Sequence, residues 1–305
     1  MPVPRRRPSG LYAARGRLTP TPPFDFERSL GFIDRFAPAQ GEQDIGDGVL
    51  TKPLRIEGQT MTFRVRSTGT VEEPRLAFTL RSDRAIGRGV RTEARRRIAR
   101  YLSVEDDLRP FYELAHADRR FEPCIKKHHG LHHVRFLTPF ESACWAVLAQ
   151  RTPMKVARAM KDALTERYGG TIEVDDREYR AFPEATDLSR AKDSELAKTI
   201  GNERKAGYLG AVRHAFVDVD EGWLETAPFE EVEEWLKGID GIGRWSSTFV
   251  MFRGFGRAGA MEMTEPMLEA ARPVYGKRYS DERLREIGRG YGRWAGYWAL
   301  YLRAS

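Results

Sequence analysis

Cysteine is scarce in this sequence. Only Cys124 and Cys144 occur among its 305 residues. Two cysteines cannot form the disulfide framework of a small secreted domain, and they are too few to hold an iron–sulfur cluster on cysteine alone. Both are therefore expected to be reduced thiols.

Long apolar runs are also absent. No stretch approaches eighteen consecutive apolar residues, and the N-terminal Met-Pro-Val-Pro-Arg-Arg-Arg-Pro segment has no apolar region after its positive charges. Both absences argue against a membrane-spanning helix or a secretory signal. We therefore expect a soluble cytoplasmic protein with no membrane partner.

Acidic side chains are outnumbered by basic ones. The chain has 51 Lys and Arg against 44 Asp and Glu, a formal net charge of +7 and a sequence pI near 9.4. Its 41% hydrophobic and 31% charged content is ordinary for a globular protein, and its length suffices for two or three domains. The excess of positive charge indicates an anionic partner, and nucleic-acid phosphate is the first candidate.

The N-terminal third divides into two predicted parts. Residues 1–20 hold five arginines among Pro, Gly and Ala, which predicts a disordered basic tail that either attracts phosphate non-specifically or has no role. Residues 21–105 are predicted to form an antiparallel α+β domain, because apolar side chains alternate along two stretches before a helical segment at residues 92–102. The alternating residues are Met61, Phe63, Val65, Leu76, Phe78 and Leu80.

A central helical bundle is predicted over residues 140–256. Its first helix has a capping box, Thr138 to Glu141, with Pro139 at the first helical position. Thr152 and Pro153 repeat the cap-then-proline signal and open a second helix. Two tightly joined helices of this kind are expected to leave Gln150 and Arg151 exposed at their junction.

A glycine-rich turn between two helices is the feature around which the chain is organised. Gly238, Gly241 and Gly243 precede a helix that carries Trp245 and Phe249. Glycine tolerates positive φ and close backbone approach, so such a turn can leave N–H groups uncovered as a seat for phosphate. A tight helix–helix turn without a ligand is the alternative.

The last part of the chain, residues 257–305, is predicted to form a C-terminal helical lobe together with residues 106–139. Pro266 fits the first helical position, which makes Glu265 the expected N-cap. The final helix is rich in aromatic residues, Trp294 among them. The segment from His116 to His133 is dense in basic and imidazole side chains and is predicted to be a basic loop, although Cys124, His128 and His132 could imitate a zinc site.

With these parts in order, the sequence resembles the helix-hairpin-helix DNA glycosylase superfamily, and within it the alkylpurine branch, 3-methyladenine DNA glycosylase II. Four segments carry the resemblance across nearly the whole chain after the tail. They are Pro22 to Phe32, Pro139 to Thr152, Gly241-Ile-Gly-Arg-Trp245 and Trp294-Ala-Gly-Tyr-Trp298.

The resemblance implies a fold of the α+β class, mainly α, in which an N-terminal antiparallel sheet domain precedes a two-lobed all-α helix-hairpin-helix body. It implies a monomer that binds double-stranded DNA, associates with the nucleoid, and flips one nucleotide out of the duplex before cutting its N-glycosidic bond. The implied site roles are the DNA wedge (Arg151, Gln150), phosphate binding (Gly241, Gly243, Arg244) and an aromatic base pocket (Trp245, Phe249, Trp294) that would attract a cationic alkylated purine. Core packing is the competing interpretation of these rings, above all of Phe249.

Glu265 occupies the position at which the family has its catalytic aspartate. A carboxylate there would stabilise the cationic sugar of the transition state and could orient water. The added methylene moves the oxygens by about 1 Å, and small misplacements can lower a rate about a hundredfold. Glu262 is a weaker substitute.

Three readings of function are therefore open. The first is an alkylpurine glycosylase, the second a damaged-DNA-binding protein of the same fold with weak or no catalysis, and the third a helix-hairpin-helix protein of another purpose. Trp245 stands where the 8-oxoguanine branch has its lysine nucleophile, which implies a monofunctional hydrolase. No cofactor or metal is expected to be required, and a monovalent cation on the hairpin carbonyls is left open.

Overall fold

The computed structural model describes residues 10–257, 264–276 and 278–305. Its N-terminal part is an antiparallel five-stranded sheet with strand order β1-β5-β4-β3-β2. The alternation read from the sequence is confirmed, because Met61, Phe63 and Val65 are buried on one side of the sheet. The strands are β1 (Tyr12–Leu18), β2 (Asp44–Gly46), β3 (Val49–Ile56), β4 (Gln59–Ser67) and β5 (Leu76–Ser82).

The prediction of a disordered tail over residues 1–20 is wrong for the part that the structure describes. Strand β1 pairs with β5 along its whole length, from Tyr12 opposite Ser82 to Leu18 opposite Leu76. Gly16 permits this pairing, because a Cβ at that position would lie 2.2 Å from the Phe78 ring. Small residues on the inward side of the strand concealed its alternation from the sequence analysis. Residues 1–9 lie outside the described residues.

Two helices, α1 (Phe26–Arg35) and α2 (Arg88–Tyr101), belong to the sheet domain. Asp25 caps α1 by accepting a hydrogen bond from the Arg28 N–H at 3.1 Å. Helix α2 begins four residues before the predicted start and buries Ala94, Ile98 and Tyr101 in the same core as the inner side of the sheet. On its other sides, Arg97 and Arg100 form ion pairs with Glu184 and Glu225 of the central bundle, and further arginines are exposed to solvent.

The central bundle surrounds one large apolar core, which includes residues from α5, α9 and α12. Its helices are α5 (Pro139–Ala149), α6 (Met154–Tyr168), α7 (Ala185–Leu188), α8 (Asp193–Ile200), α9 (Glu203–Asp218), α10 (Glu221–Thr226), α11 (Phe229–Lys237) and α12 (Arg244–Arg253). A hairpin of strands β6 (Gly170–Val174) and β7 (Arg177–Ala181), which the sequence analysis did not predict, packs against β3 and β4.

The two predicted helix starts in this region have different outcomes. Thr138 caps α5 as expected, since its hydroxyl accepts from the Glu141 N–H at 3.1 Å. The Glu141 carboxylate, however, pairs with a lysine of α6 and so does not complete the capping box in the expected way. At the second start, Pro153 is the N-cap rather than the first helical residue, and the Thr152 hydroxyl donates back to the Gln150 carbonyl oxygen.

A buried group of charges joins the sheet domain to the bundle. Lys161 on α6 has a side chain that is 1% exposed, and its Nζ lies 2.7 Å from Glu141 Oε1 and also pairs with Glu42. Lys52 Nζ lies 2.7 Å from the second oxygen of Glu42. Burial alone would raise the pKa of Glu42, but the two ammonium groups lower it to about 2. Removing one partner from such a buried pair costs about 3–5 kcal/mol, so this group fixes the packing of the two parts.

The C-terminal lobe combines two separate segments of the chain. One apolar core contains Phe111 and Phe121 from the first segment and Trp298 and Tyr301 from the second. Its helices are α3 (Arg109–Ala117), α4 (Glu122–Lys127), α13 (Glu265–Tyr275), α14 (Asp281–Gly290) and α15 (Ala295–Ala304). In the described ranges, no helix has both the length and the apolar character needed to cross a membrane.

Candidate nucleic-acid interface

The glycine turn joins the end of α11 to the start of α12. Gly241 has φ of +88°, and a Cβ at this position would lie 2.3 Å from the Tyr208 ring, so both conformation and close packing require glycine there. Gly243 is the N-cap of α12 and provides no side chain to satisfy the first N–H groups of that helix. Because those groups and the helix dipole favour an anion, the turn has the form of a phosphate seat.

A surface cavity of about 850 Å³ lies between this turn and the loop that connects α5 to α6. Its charged lining is mostly basic, with one acidic residue, Asp240. The positive potential of such a concave surface favours a polyanion. The basic residues that line it are Arg151, Arg204, Lys205, Lys237 and Arg244.

The α5–α6 loop presents Arg151 to solvent. Its φ is +49°, a left-handed conformation that costs a non-glycine residue about 1–2 kcal/mol. Gln150, predicted to be exposed beside it, is instead half-buried, and its Nε2 donates to Gly241 O at 2.6 Å and to Ser246 Oγ at 2.8 Å. The Gln150 side chain therefore ties the loop to the glycine turn, and Arg151 is the one of the two that projects.

Lys205 holds the same loop from the other side. Its Nζ donates to three carbonyl oxygens at the end of α5: Val147 at 2.7 Å, and Leu148 and Gln150 at 2.9 Å each. Burial and the neighbouring Arg204 lower the pKa of Lys205. Lys205 is not among the site residues predicted from the sequence. A usable signal existed, because a lysine in the first turn of a helix opposes the helix dipole and needs another partner.

Two of the predicted pocket rings are in contact. The Trp245 and Phe249 rings stack with centroids 5.4 Å apart, and Trp245 is 47% exposed at the edge of the basic cavity. Phe249 continues inward to Phe136, whose centroid is 6.0 Å away, and Phe136 contacts Phe36 at 5.5 Å. Phe36 and Phe136 were not predicted from the sequence, because they come from segments more than a hundred residues before α12.

Trp294 lies in a different setting. It ends a short 3₁₀ turn, Gly292–Trp294, and packs against Phe111 and Tyr297 of the C-terminal lobe with centroids about 6 Å away (6.2 and 5.8 Å). The Arg293 guanidinium lies 5.0 Å from its ring centroid. Among the described residues, no ring contact joins Trp294 to Trp245 or Phe249.

Glu265 is the first residue of α13, and the prediction that it is the N-cap is wrong. Thr264 takes the cap position, so that Pro266 is the second helical residue. The Glu265 side chain is 58% exposed, and its Oε1 lies 2.9 Å from Arg272 Nη2, which also pairs with Asp281 at 3.0 Å. Glu265 is not among the residues that line the basic cavity. Glu262 lies outside the described residues.

The histidine-rich segment is not the basic loop that the sequence predicted. Residues 122–127 form α4, while His132 and His133 are fully buried. The two ring nitrogens of His132 lie 2.7 Å from Ser103 O and 2.9 Å from Pro23 O, so both already have partners within the fold. Within the described ranges, no group of three His, Cys, Asp or Glu side chains could hold a metal ion.

Two carbonyl oxygens of the hairpin accept hydrogen bonds within the protein. Gly241 O accepts from Gln150 Nε2, and Ile239 O accepts from the Ile242 N–H at 2.9 Å. Each carbonyl oxygen has two lone pairs, so these hydrogen bonds leave the monovalent cation at the hairpin an expectation from the sequence.

This architecture, an N-terminal sheet followed by two helical lobes with a glycine hairpin, is the fold of the helix-hairpin-helix DNA glycosylases. The chain superimposes on the 3-methyladenine DNA glycosylase of Archaeoglobus fulgidus with a TM-score of 0.75 and 20% identity, covering 94% of this chain and 96% of that one. It also matches the 8-oxoguanine glycosylase/lyase of Clostridium acetobutylicum, solved with double-stranded DNA, at a TM-score of 0.64 and 16% identity over 92% of this chain and 91% of that one.

In sequence, the chain is 26% identical over 285 residues to a protein of Bacillus subtilis named DNA-3-methyladenine glycosylase, covering 92% of this chain and 93% of the relative. No family model matches the sequence. The resemblance inferred from the four short segments is confirmed by this relative and by the shared fold.

Proposed function

We propose that this chain is a DNA glycosylase that excises alkylated, 3-methyladenine-like purines from duplex DNA. The observation that carries the proposal is Trp245, a large aromatic side chain left exposed at the rim of a basic cavity, between the glycine turn and the Arg151 loop. The full-length similarity to a protein named DNA-3-methyladenine glycosylase supports the same reading.

The glycine turn would bind the DNA backbone. The uncapped N-terminus of α12, with the Gly241 and Gly243 backbone before it, offers N–H donors to one phosphate, and Arg244 adds charge at the same place. Such contacts position the duplex and carry no sequence information. They would hold the damaged strand beside Trp245.

Arg151 would fill the space that a flipped nucleotide leaves. Flipping costs a few kcal/mol, and least for a damaged or mispaired base. The guanidinium is planar and can stack on bases or donate hydrogen bonds to the base that is left unpaired on the opposite strand. Gln150 would act through its hydrogen bonds to Gly241 and Ser246. These bonds hold the Arg151 loop at a fixed position relative to the glycine turn that binds phosphate.

The stacked pair of Trp245 and Phe249 would receive the base. A purine alkylated on its ring carries positive charge, and each aromatic contact attracts it by about 0.5–2 kcal/mol over a neutral base. The same charge makes the base a good leaving group, so hydrolysis needs no strong general acid. With Trp245 in place of a lysine nucleophile, the reaction would stop at the abasic site.

Glu265 would supply the negative charge that stabilises the cationic sugar and would orient the attacking water. Its carboxylate is bound to Arg272 at an exposed site, where an ion pair is weak and can be exchanged for the DNA substrate. The second candidate function, a damaged-DNA-binding protein with weak or no catalysis, is favoured by the same observation, because a carboxylate held by Arg272 does not face the Trp245 cavity.

Release of free base from a methylated duplex separates the two candidates. We expect the wild-type chain to release base and leave abasic sites, Glu265→Gln to lose at least a hundredfold in single-turnover rate, and Glu269→Gln, an exposed change on the same helix, to behave as wild type. Tight binding to a tetrahydrofuran abasic analogue without base release would select the binding protein. Nucleoid association and a monomeric state follow from this proposal as expectations.

A further inference from the structure

The outer side of the N-terminal sheet carries an ordered group of arginines. Side chains alternate across a sheet, and the residues next to these arginines in sequence, among them Val65 and Phe78, are buried on the inner side. The outer arginines are Arg15 and Arg17 on β1, Arg64 and Arg66 on β4, and Arg81 on β5.

Strand register arranges four of these arginines in two rows. One row runs from Arg15 through Thr79 to Arg64, and the other from Arg17 through Ala77 to Arg66. The Cα atoms of the arginines are about 10 Å apart across the strands and about 7 Å apart along them, from ordinary sheet geometry. The small residues Thr79 and Ala77 between them leave the guanidinium groups open to solvent.

Few of these charges are neutralised within the protein. Asp175, at the turn between β6 and β7, lies 2.6 Å from Arg81 and 3.8 Å from Arg64. Within the described ranges, no hydrogen bond or ion pair involves the side chain of Arg15, Arg17 or Arg66. Like charges crowded on one sheet surface destabilise it, so an arrangement of this kind is stabilised by an anionic partner.

We propose that this arginine surface, defined by Arg15, Arg17, Arg64 and Arg66, is a second DNA-binding surface that contacts phosphates outside the lesion site. Duplex DNA carries one negative charge per about 1.7 Å of its axis, so an array about 7 by 10 Å spans several phosphates. Non-specific contacts of this kind let a protein slide and hop along DNA, which serves a search for rare lesions. The inference rests on the proposed function only in its choice of DNA as the anion.

The test uses an undamaged duplex of about 40 base pairs and the full chain. The triple variant Arg15→Gln, Arg17→Gln, Arg66→Gln removes three unpaired charges from the surface. The matched control removes three exposed charges from one side of α2, by Arg88→Gln, Arg91→Gln and Arg95→Gln. Helix α2 packs on the opposite, inner side of the sheet. A third variant replaces Arg15, Arg17 and Arg66 by lysine. Thermal melts establish that all variants remain folded.

Binding is measured by fluorescence anisotropy from 50 to 300 mM salt. If each arginine neutralises one phosphate, the slope of log K against log salt concentration falls in magnitude by about 2–3 in the surface variant, and binding weakens about tenfold or more at low salt. The α2 control and the lysine variant keep the wild-type slope.

An equal loss in the surface variant and the α2 control would mean that only net charge matters and would overturn the proposal. Wild-type binding by the surface variant would overturn it too, and would leave the surface to solvent or to an acidic protein segment. Base release plays no part in this measurement. A chain that binds as expected but releases no base would therefore refute the proposed function and leave the second surface intact.

Discussion

Replacement of Lys205 by methionine should slow base release without loosening DNA binding. The lysine Nζ donates to the carbonyl oxygens of Val147, Leu148 and Gln150, which form the end of α5 and the start of the loop that presents Arg151. Methionine has a similar length and no donor. It therefore removes the clamp and leaves the helix backbone in place.

The magnitude follows from two opposing terms. A hydrogen bond to a charged donor contributes about 1.5–3 kcal/mol to stability. Here a single donor, the Lys205 ammonium, serves three carbonyl oxygens. The left-handed conformation of Arg151 costs about 1–2 kcal/mol. Once the clamp is lost, the strain is no longer offset, so the loop is expected to relax. A displacement of about 1 Å in a group that orients the substrate lowers a rate about a hundredfold, and we expect a loss of about 10- to 100-fold.

Single-turnover release of base from a methylated duplex measures this effect. The salt dependence of binding to undamaged duplex should stay as in wild type, because the Lys205 ammonium is engaged by carbonyls and does not contact phosphate. Lys198→Met, at an exposed position on α8, is the control and should behave as wild type. An unchanged release rate in Lys205→Met would refute the reasoning. A smaller slope of log K for DNA binding against log salt concentration would mean that Lys205 binds DNA directly.

Two further predictions concern the loop and the buried charges. Gln150→Leu should lower the base-release rate about tenfold by freeing the loop from Gly241 and Ser246. The control Gln40→Leu removes only an exposed hydrogen bond from Arg158, away from the hairpin, and should keep the wild-type rate. Equal rates in the two variants would show that the link to the hairpin is dispensable. The pKa of Glu42 is about 2 in the folded chain against an ordinary 4.5, so its stabilising effect is complete above pH 4.5 and is lost as the pH falls from about 4.5 to about 2. Urea unfolding at several pH values should show this loss in wild type. In Glu42→Gln, the free energy of unfolding should change less steeply with pH over the same range. Identical plots of unfolding free energy against pH for the two proteins would mean that Glu42 is not the responsible group.

Short-range signals in the sequence predicted much of the fold. The cap at Thr138, the proline that follows it and the glycine turn at Gly241 depend on neighbouring residues, and they were read correctly. The sheet domain was predicted from alternation. Strand β1 was missed because the inward positions before Leu18 hold the small residues Ala14 and Gly16, so the sequence shows no apolar alternation there. The strand is recognised only from its pairing with β5.

The candidate site depends on contacts that no local pattern records. Gln150 reaches Gly241 across 91 positions, and Lys205 reaches the end of α5 across 55 to 58. The family resemblance implied Gln150 and Arg151 together as the wedge. Only three-dimensional packing shows that Gln150 is half-buried and hydrogen-bonded to the hairpin, whereas Arg151 is exposed. The ion pair of Glu265 with Arg272 was likewise not predicted, since the two residues lie seven positions apart on a helix whose start was misplaced by one residue.

The most direct test of the account is the release of 3-methyladenine from a methylated duplex by wild type and by Trp245→Ala, with Tyr12→Ala as a control for loss of an exposed aromatic ring. The account predicts that wild type and Tyr12→Ala release the base at equal rates. It predicts that Trp245→Ala is at least tenfold slower, which is about 1.4 kcal/mol and within the range of one cation–π contact. Equal rates in all three proteins would contradict the claim that Trp245 receives the flipped base.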